Sequence, residues 1–369
     1  MRAALISGDT SQLGVLRTVR HGSIREQTWN PKCDMLSARF SADGTRLCTG
    51  SADKSCRLYD LQPGKATGKE RLRIFHSEWV RCASFSHDGE FVATGCDDTW
   101  VRIWKSVGDE ENEAQKVTEF QLRNWVFSTN FSPDDRLLCT ASRDKTARLF
   151  LVRPDPVEPS AEEAVESQTR VSSASRGEKE QSEKGSEKPV AQAVEEEEPN
   201  PELKCYTYEE QVMSAAFNVD GTQLCVGTGT LRCFGFAYIY DVETGEEVVN
   251  FDHNDTVTSA NFSSNGKYLV TSSRDKVVRL WDLRDKLARI KFTHSNYVQT
   301  ASFDPEGALV CTACDDGYAR IFDVKGKKEL VTFSHIDPVL TACFSPDGLQ
   351  LCTTCKDGGA RIYGMKPGD

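Results

Sequence analysis

Apolar and polar residues alternate along this chain in short runs, and the runs recur in sets. Val80-Arg81-Cys82-Ala83-Ser84-Phe85 has the two-residue period of a half-buried strand and leads into the pair Asp88-Gly89. A second run, Leu47 to Ser51, passes through a tight turn carrying Asp53 into a third run that ends at Tyr59. Asp43-Gly44, Asp88-Gly89, Asp220-Gly221 and Asp347-Gly348 are predicted hairpin turns, because glycine accepts positive φ at little cost.

The sets repeat. Phe40-Ser41-Ala42-Asp43-Gly44 is echoed by Phe85-Ser86-His87-Asp88-Gly89, by Phe131-Ser132-Pro133-Asp134, and by later copies starting at Phe217, Phe262, Phe303 and Phe344. Seven copies are present, spaced 45, 46, 86, 45, 41 and 41 residues apart. The long interval is one repeat plus an insertion of about 45 residues, and a period of about 40–45 is that of a four-stranded propeller blade.

With these copies in register, the chain resembles the WD40-repeat family over all but the insertion. The resemblance implies an all-β, seven-bladed propeller of four-stranded antiparallel blades spanning residues 11–364, with residues 154–201 as a disordered acidic insertion between the third and fourth blades. It also implies a hydrogen-bonded His, Ser/Thr, Asp and Trp network inside each blade, which reads as complete in one copy only, as His253, Ser273, Asp275 and Trp281. Leu122 and Tyr208 replace the histidine in the third and fourth copies, and the fourth lacks the turn aspartate, so that blade is expected to be the most irregular. The last copy stops after its third strand at Tyr363-Gly364, so Leu13 to Val19 is expected to supply its outer strand and close the ring.

Charge is unevenly placed. Of the net −11, the stretch from Pro154 to Leu203 carries −9 through fourteen acidic and five basic residues, leaving −2 for the rest. A nearly neutral propeller lacks a broad nucleic-acid footprint, so direct nucleic-acid binding is not expected. The chain shows neither an apolar run of membrane-spanning length nor a secretory leader, and a cytoplasmic or nuclear protein is expected.

Fourteen cysteines, including Cys311-Thr312-Ala313-Cys314 and Cys352-Thr353-Thr354-Cys355, invite a metal reading. The repeat argues against it. Cys48, Cys139, Cys225, Cys311 and Cys352 share the position of Ala93 and Val270, while Cys314 and Cys355 replace Ser51, Ser142 and Ser273. Reduced structural thiols, no metal and no cofactor are expected. Gly64-Lys65-Ala66-Thr67-Gly68-Lys69 is one residue short of a phosphate loop and has Glu70 where Ser or Thr would bind magnesium. Nothing else in the chain resembles an active site, and no enzymatic activity is expected.

In the family, partners commonly meet the narrow face, and carrying its positions over gives Trp79, Arg81, Trp125, Phe127, Arg143, Met213, Arg274, Tyr297 and Lys356. These aromatic and basic side chains are the types interfaces favour, and they concentrate in the second and third blades. The expected function is a non-catalytic scaffold, a subunit of a larger intracellular complex, binding proteins or peptide segments without a required homo-oligomer. Two alternatives stand beside it: a substrate receptor reading short acidic or phosphorylated motifs and, more remotely, a subunit of an RNA-associated complex. The insertion, low in apolar residues and ending in Glu195 to Glu198, reads as a solvated loop, as an acidic tether for a basic partner, or as a site of phosphorylation on Ser172, Ser173 or Ser182.

Overall fold

In the second blade, Val80–Phe85, Phe91–Cys96, Trp100–Lys105 and Lys116–Gln121 pair in that order as an antiparallel meander. The second strand is almost wholly buried and the outer one mostly exposed, as the shift from Phe-Val-Ala-Thr-Gly-Cys to Lys-Val-Thr-Glu-Phe-Gln requires. The computed structural model describes residues 34–61, 68–107, 113–153, 201–229 and 234–365, with the backbone of 15–20. Seven such four-stranded sheets are formed, and the apolar faces of neighbouring sheets meet. Val101, Ile103 and Phe120 of the second blade, for example, share one cluster with Val126, Leu138 and Phe150 of the third. The fit is tight enough that a Cβ on Gly95 would lie 2.6 Å from Val126 Cγ1. The four Asp-Gly turns form as expected, their glycines at φ between 66° and 75°.

Inner strands are also stitched across the blade boundaries. The Ala260, Ala301 and Ala342 N–H groups each donate at 3.1 Å to a hydroxyl of the preceding inner strand, Ser214, Ser259 and Thr300. The ring closes where the chain ends meet: Val15–Arg20 pairs antiparallel with Gly359–Gly364, Val19 opposite Ala360. Removing residues 1–20 would leave the 359–364 strand as a bare edge, so the truncated chain is expected to melt at least about 5 °C lower by calorimetry. An unchanged melting temperature would contradict this account of closure.

The third blade's third and outer strands, Thr146–Leu151 and Glu202–Thr207, flank the insertion, so it falls between the third and fourth sequence copies but within one sheet. Its residues 154–200, the Trp29 loop, Leu13, Gly14 and most of the Gly64–Lys69 stretch lie outside the described residues. The flanking residue Arg153 pairs with Asp88 at 2.6 Å and lies 4.5 Å from the Phe91 ring. The strand end that leads into the insertion therefore lies on the face that carries the Asp-Gly turns, opposite to the narrow face.

Candidate functional site

Four residues past each turn aspartate the sequence carries an arginine, and in six blades the two form an ion pair. Asp53–Arg57, Asp98–Arg102, Asp144–Arg148, Asp275–Arg279 and Asp316–Arg320 lie 2.6–3.2 Å apart, and Asp357 pairs with Arg361. Each aspartate also accepts a backbone N–H two residues on, as from Val277 at 3.0 Å and Tyr318 at 3.1 Å. The pairs therefore pin the turns that reach the narrow face.

In the fifth blade Arg279 donates to His253 Nδ1 at 2.7 Å, and Trp281 Nε1 donates to Thr271 Oγ1 at 2.9 Å. This corrects the sequence reading, which put Ser273 in the network: Ser273 instead donates to the Asp255 carbonyl at 3.0 Å and accepts the Asp275 N–H at 3.0 Å. With threonine as the partner, a second blade has the full set, His76, Thr94, Asp98 and Trp104, Trp104 donating to Thr94 at 3.0 Å. In the sixth and seventh blades, where Phe322 and Tyr363 replace tryptophan, His294 and His335 reach Thr312 and Thr353 directly, at 3.0 and 2.9 Å. At the fourth blade tyrosines stand in: Tyr206, on the third blade's outer strand, and Tyr208, just after it, pack against Tyr240 and Tyr238 of the fourth, ring centroids 4.5 and 5.3 Å apart.

The serine position explains several thiols. Ser51, Ser142 and Ser273 each donate to a carbonyl of the loop preceding the inner strand, and Cys96, Cys314 and Cys355 donate to the equivalent carbonyls of Glu78, Asn296 and Asp337 at 3.2–3.4 Å. All twelve described cysteines are free, and all but Cys205 are buried. Burial pushes the Cys96 thiol up to about 12 and the Cys314 thiol to about 11. His76, Cys96 and Asp98 offer ligand atoms within 4.8 Å of one another. The Arg102 guanidinium, bonded to both His76 and Asp98, already places a positive charge there and disfavours a metal ion.

On the narrow face, the side chains four residues before the repeat phenylalanines converge on the channel. Arg81, Phe127 and Met213, with Leu36, Thr258 and Gln299, line a cavity of about 230 Å³ at its mouth. Trp125 lies between two guanidinium groups, Arg81 at 4.6 Å and Arg143 at 4.1 Å from its ring centroid, both within cation–π range. Arg81 also approaches Phe127 at 5.3 Å and Trp79 at 5.7 Å, so these five side chains form one cluster. Trp79 and Tyr297, both 42% exposed, keep much of their rings open to solvent. Arg274 lies 5.9 Å from the Tyr297 ring, apart from the blade-two cluster, and its buried Nε has no hydrogen-bond partner. Lys356 is exposed, near Asp34, whose carboxyl burial holds above its usual range despite that lysine.

Charge on this face is only partly available. Arg81 forms a bidentate pair with Asp97, and Gln299 donates to Asp315 at 2.9 Å. Arg143, Arg274 and Lys356 form no ion pair among the described residues. The sequence reading missed the Asp–Arg pairs, although the repeated spacing from Asp53 to Arg57 and from Asp316 to Arg320 would have disclosed them.

A closed ring of seven four-stranded blades, with its turns pinned and an aromatic and basic face at one end, defines a propeller of the interaction type. The chain belongs to the WD40 family, described as WD domain, G-beta repeat, whose pattern matches residues 20–60, 69–105, 115–150, 245–282, 286–323 and 327–364. The unmatched blade is the tyrosine-rich fourth. The chain is similar to Pre-mRNA-processing factor 19 homolog 2 of Arabidopsis thaliana, 30% identical over 246 residues, 66% of this chain and 37% of that protein. It is 27% identical over 252 residues to the guanine nucleotide-binding protein subunit beta of Zea mays, covering 64% of this chain and 53% of that one. It is 32% identical over 114 residues to WD repeat and SOCS box-containing protein 1 of Homo sapiens, 30% of this chain and 25% of that protein. The chain thus spans a quarter to about half of these relatives' length. WD40 propellers generally act as non-catalytic scaffolds that bind proteins or peptides, and among the described residues no helix is long and apolar enough to cross a membrane.

Proposed function

We propose that this protein is a scaffold subunit of a larger intracellular assembly and docks a protein partner on the narrow face of its propeller, with Trp125 as the central anchor. The observation that carries this reading is the cluster of Trp79, Arg81, Trp125, Phe127 and Arg143. It places large apolar rings and a charge-assisted donor around the mouth of the channel, on inner strands and on loops beside the turns that the Asp–Arg pairs pin. Free thiols throughout the described residues suit a reducing compartment, cytoplasm or nucleus.

A second reading draws on a separate observation. Arg143 and Arg274 form no ion pair among the described residues, and Lys356 has only the nearby Asp34, which leaves cations for a receptor of short acidic or phosphorylated segments. Calorimetry against a partner recovered with the tagged wild-type chain tests the first reading. Trp125→Ala is expected to weaken binding by about 2 kcal/mol or more, on the order of 30-fold. Equal affinity of wild type and variant would remove Trp125 from the interface. Saturable binding of an isolated acidic or phosphorylated peptide, weakening as salt rises, would favour the receptor reading instead.

A further inference from the structure

The opposite end of the channel carries a feature that the narrow face does not explain. The residues just before the repeat phenylalanines form a ring in which most polar members are engaged with the next blade. Asn130 donates to the Ala215 carbonyl at 2.7 Å, Asn261 to Ala301 at 2.9 Å and Ser302 to Ala342 at 3.3 Å, while the Cys343 thiol reaches Ala38 at 3.5 Å. The first blade puts Arg39 in this ring. Its side chain is exposed and its guanidinium makes no hydrogen bond or ion pair among the described residues.

Arg39 lines both the upper cavity and a second one of about 450 Å³ that opens on the face of the Asp-Gly turns. Six repeat phenylalanines and three prolines, Pro133, Pro305 and Pro346, line this lower chamber, with Asn218, Ser263, Ser264 and Ser345 between them. The other charged side chains at its wall are engaged. Asp304 accepts the Ala308 and Leu309 N–H groups at 2.6 and 2.8 Å, and His87 lies 3.3 Å from Asp135. Arg39 is the one guanidinium lining this chamber among the described residues, and it directs its field at whatever enters. The chamber is the size of a ligand pocket, and Val219, 58% exposed, adds an apolar residue to its wall.

We propose that this lower chamber binds a peptide segment of a protein partner, in which an acidic side chain reaches Arg39 while apolar side chains on either side pack against the phenylalanines. A peptide suits the site better than a small free anion, because the chamber sets aromatic rings and polar side chains together around Arg39, with Asp304 also in its wall. The phenylalanine chamber opens on the face opposite the narrow one, although Arg39 also lines the upper cavity, so the Trp125→Ala arm below separates the two sites.

Peptide-display selection on the full chain, run in parallel on Arg39→Gln, Arg39→Lys and Trp125→Ala, tests the proposal. Peptides recovered on wild type and on Trp125→Ala are expected to carry Asp or Glu beside aromatic or aliphatic residues. Their affinity should fall at least tenfold on Arg39→Gln and recover in part on Arg39→Lys. Arg39→Gln should melt no lower than wild type, since the guanidinium makes no bond in the fold, and this separates lost binding from lost folding. The proposal is overturned if no peptide depends on Arg39, if the Arg39-dependent peptides lack an acidic residue, or if Trp125→Ala abolishes the same peptides.

Discussion

Asp275→Ala is expected to destabilise the protein by about 3–5 kcal/mol, the cost of leaving one member of a buried ion pair alone. Asp275 lies 2.6 Å from Arg279, whose guanidinium is buried and also donates to His253. Alanine in its place strands that charge between an imidazole and the blade interior, and releases the Val277 N–H that shapes the turn. A surface pair serves as the control. Lys54 and Glu78, 46% and 51% exposed, are 3.2 Å apart, and Glu78→Ala should change stability by less than about 1 kcal/mol. Urea denaturation monitored by tryptophan fluorescence reads both. Equal and small shifts for the two variants would show that the Asp–Arg pairs do not hold the blades.

The second large effect is a loss of stability in mildly acidic solution. Burial, reinforced by the neighbouring Arg102, Arg320 and Arg361, holds the imidazoles of His76, His294 and His335 down at about 4. In the unfolded chain a histidine titrates near ~6.5. Between these values the unfolded state binds more protons than the folded one, so the stability these sites contribute is full above about 6.5 and declines as pH falls toward 4. Each site contributes at most about 1.4 kcal/mol per pH unit, so the three together remove several kcal/mol between about pH 6.5 and 5. Asp275 and Asp316 act lower. Burial opposes their ionisation, but for Asp275 the nearby His253 and the bond from Arg279, and for Asp316 the bonds from Arg320 and Ser295, outweigh it and hold both carboxyls at about 2. Their contribution is lost only below the usual carboxylate range, as pH falls toward 2. Melting temperatures at pH 7 and 5 should therefore differ by several degrees, and His294→Leu, the residue type at Leu122 in the third blade, should shrink the difference. A flat profile from pH 7 to 5 would contradict the buried neutral histidines.

Most of the architecture was legible because each blade restates it. The repeat phenylalanines, the Asp-Gly turns and the short last copy sufficed for seven sheets and for closure by the N-terminal strand, and the missing turn aspartate marked the fourth blade. What stayed hidden depends on contacts between residues distant in sequence. Thr271 and Ser273 lie two apart on one strand and face the same side, so only their depth in the blade decides which meets Trp281. Arg81 stands sixteen residues from Asp97, and nothing in the local pattern shows that the two neutralise each other. In the sequence Arg39 is one more polar residue beside a phenylalanine. Only the ring of its counterparts, most of the polar ones bonded to the next blade, shows it to be unengaged. Which face holds the strand end that leads into the insertion likewise required the sheet order.

The central claim is that the narrow face does the protein's work. Its most direct test is a quantitative comparison of the proteins that co-purify with the wild-type chain and with a Trp79→Ala, Trp125→Ala, Arg143→Ala variant of matched melting temperature. The account predicts that specific partners recovered with wild type fall at least tenfold with the variant. An unchanged set of partners at unchanged yield would contradict it and move the binding surface elsewhere on the propeller.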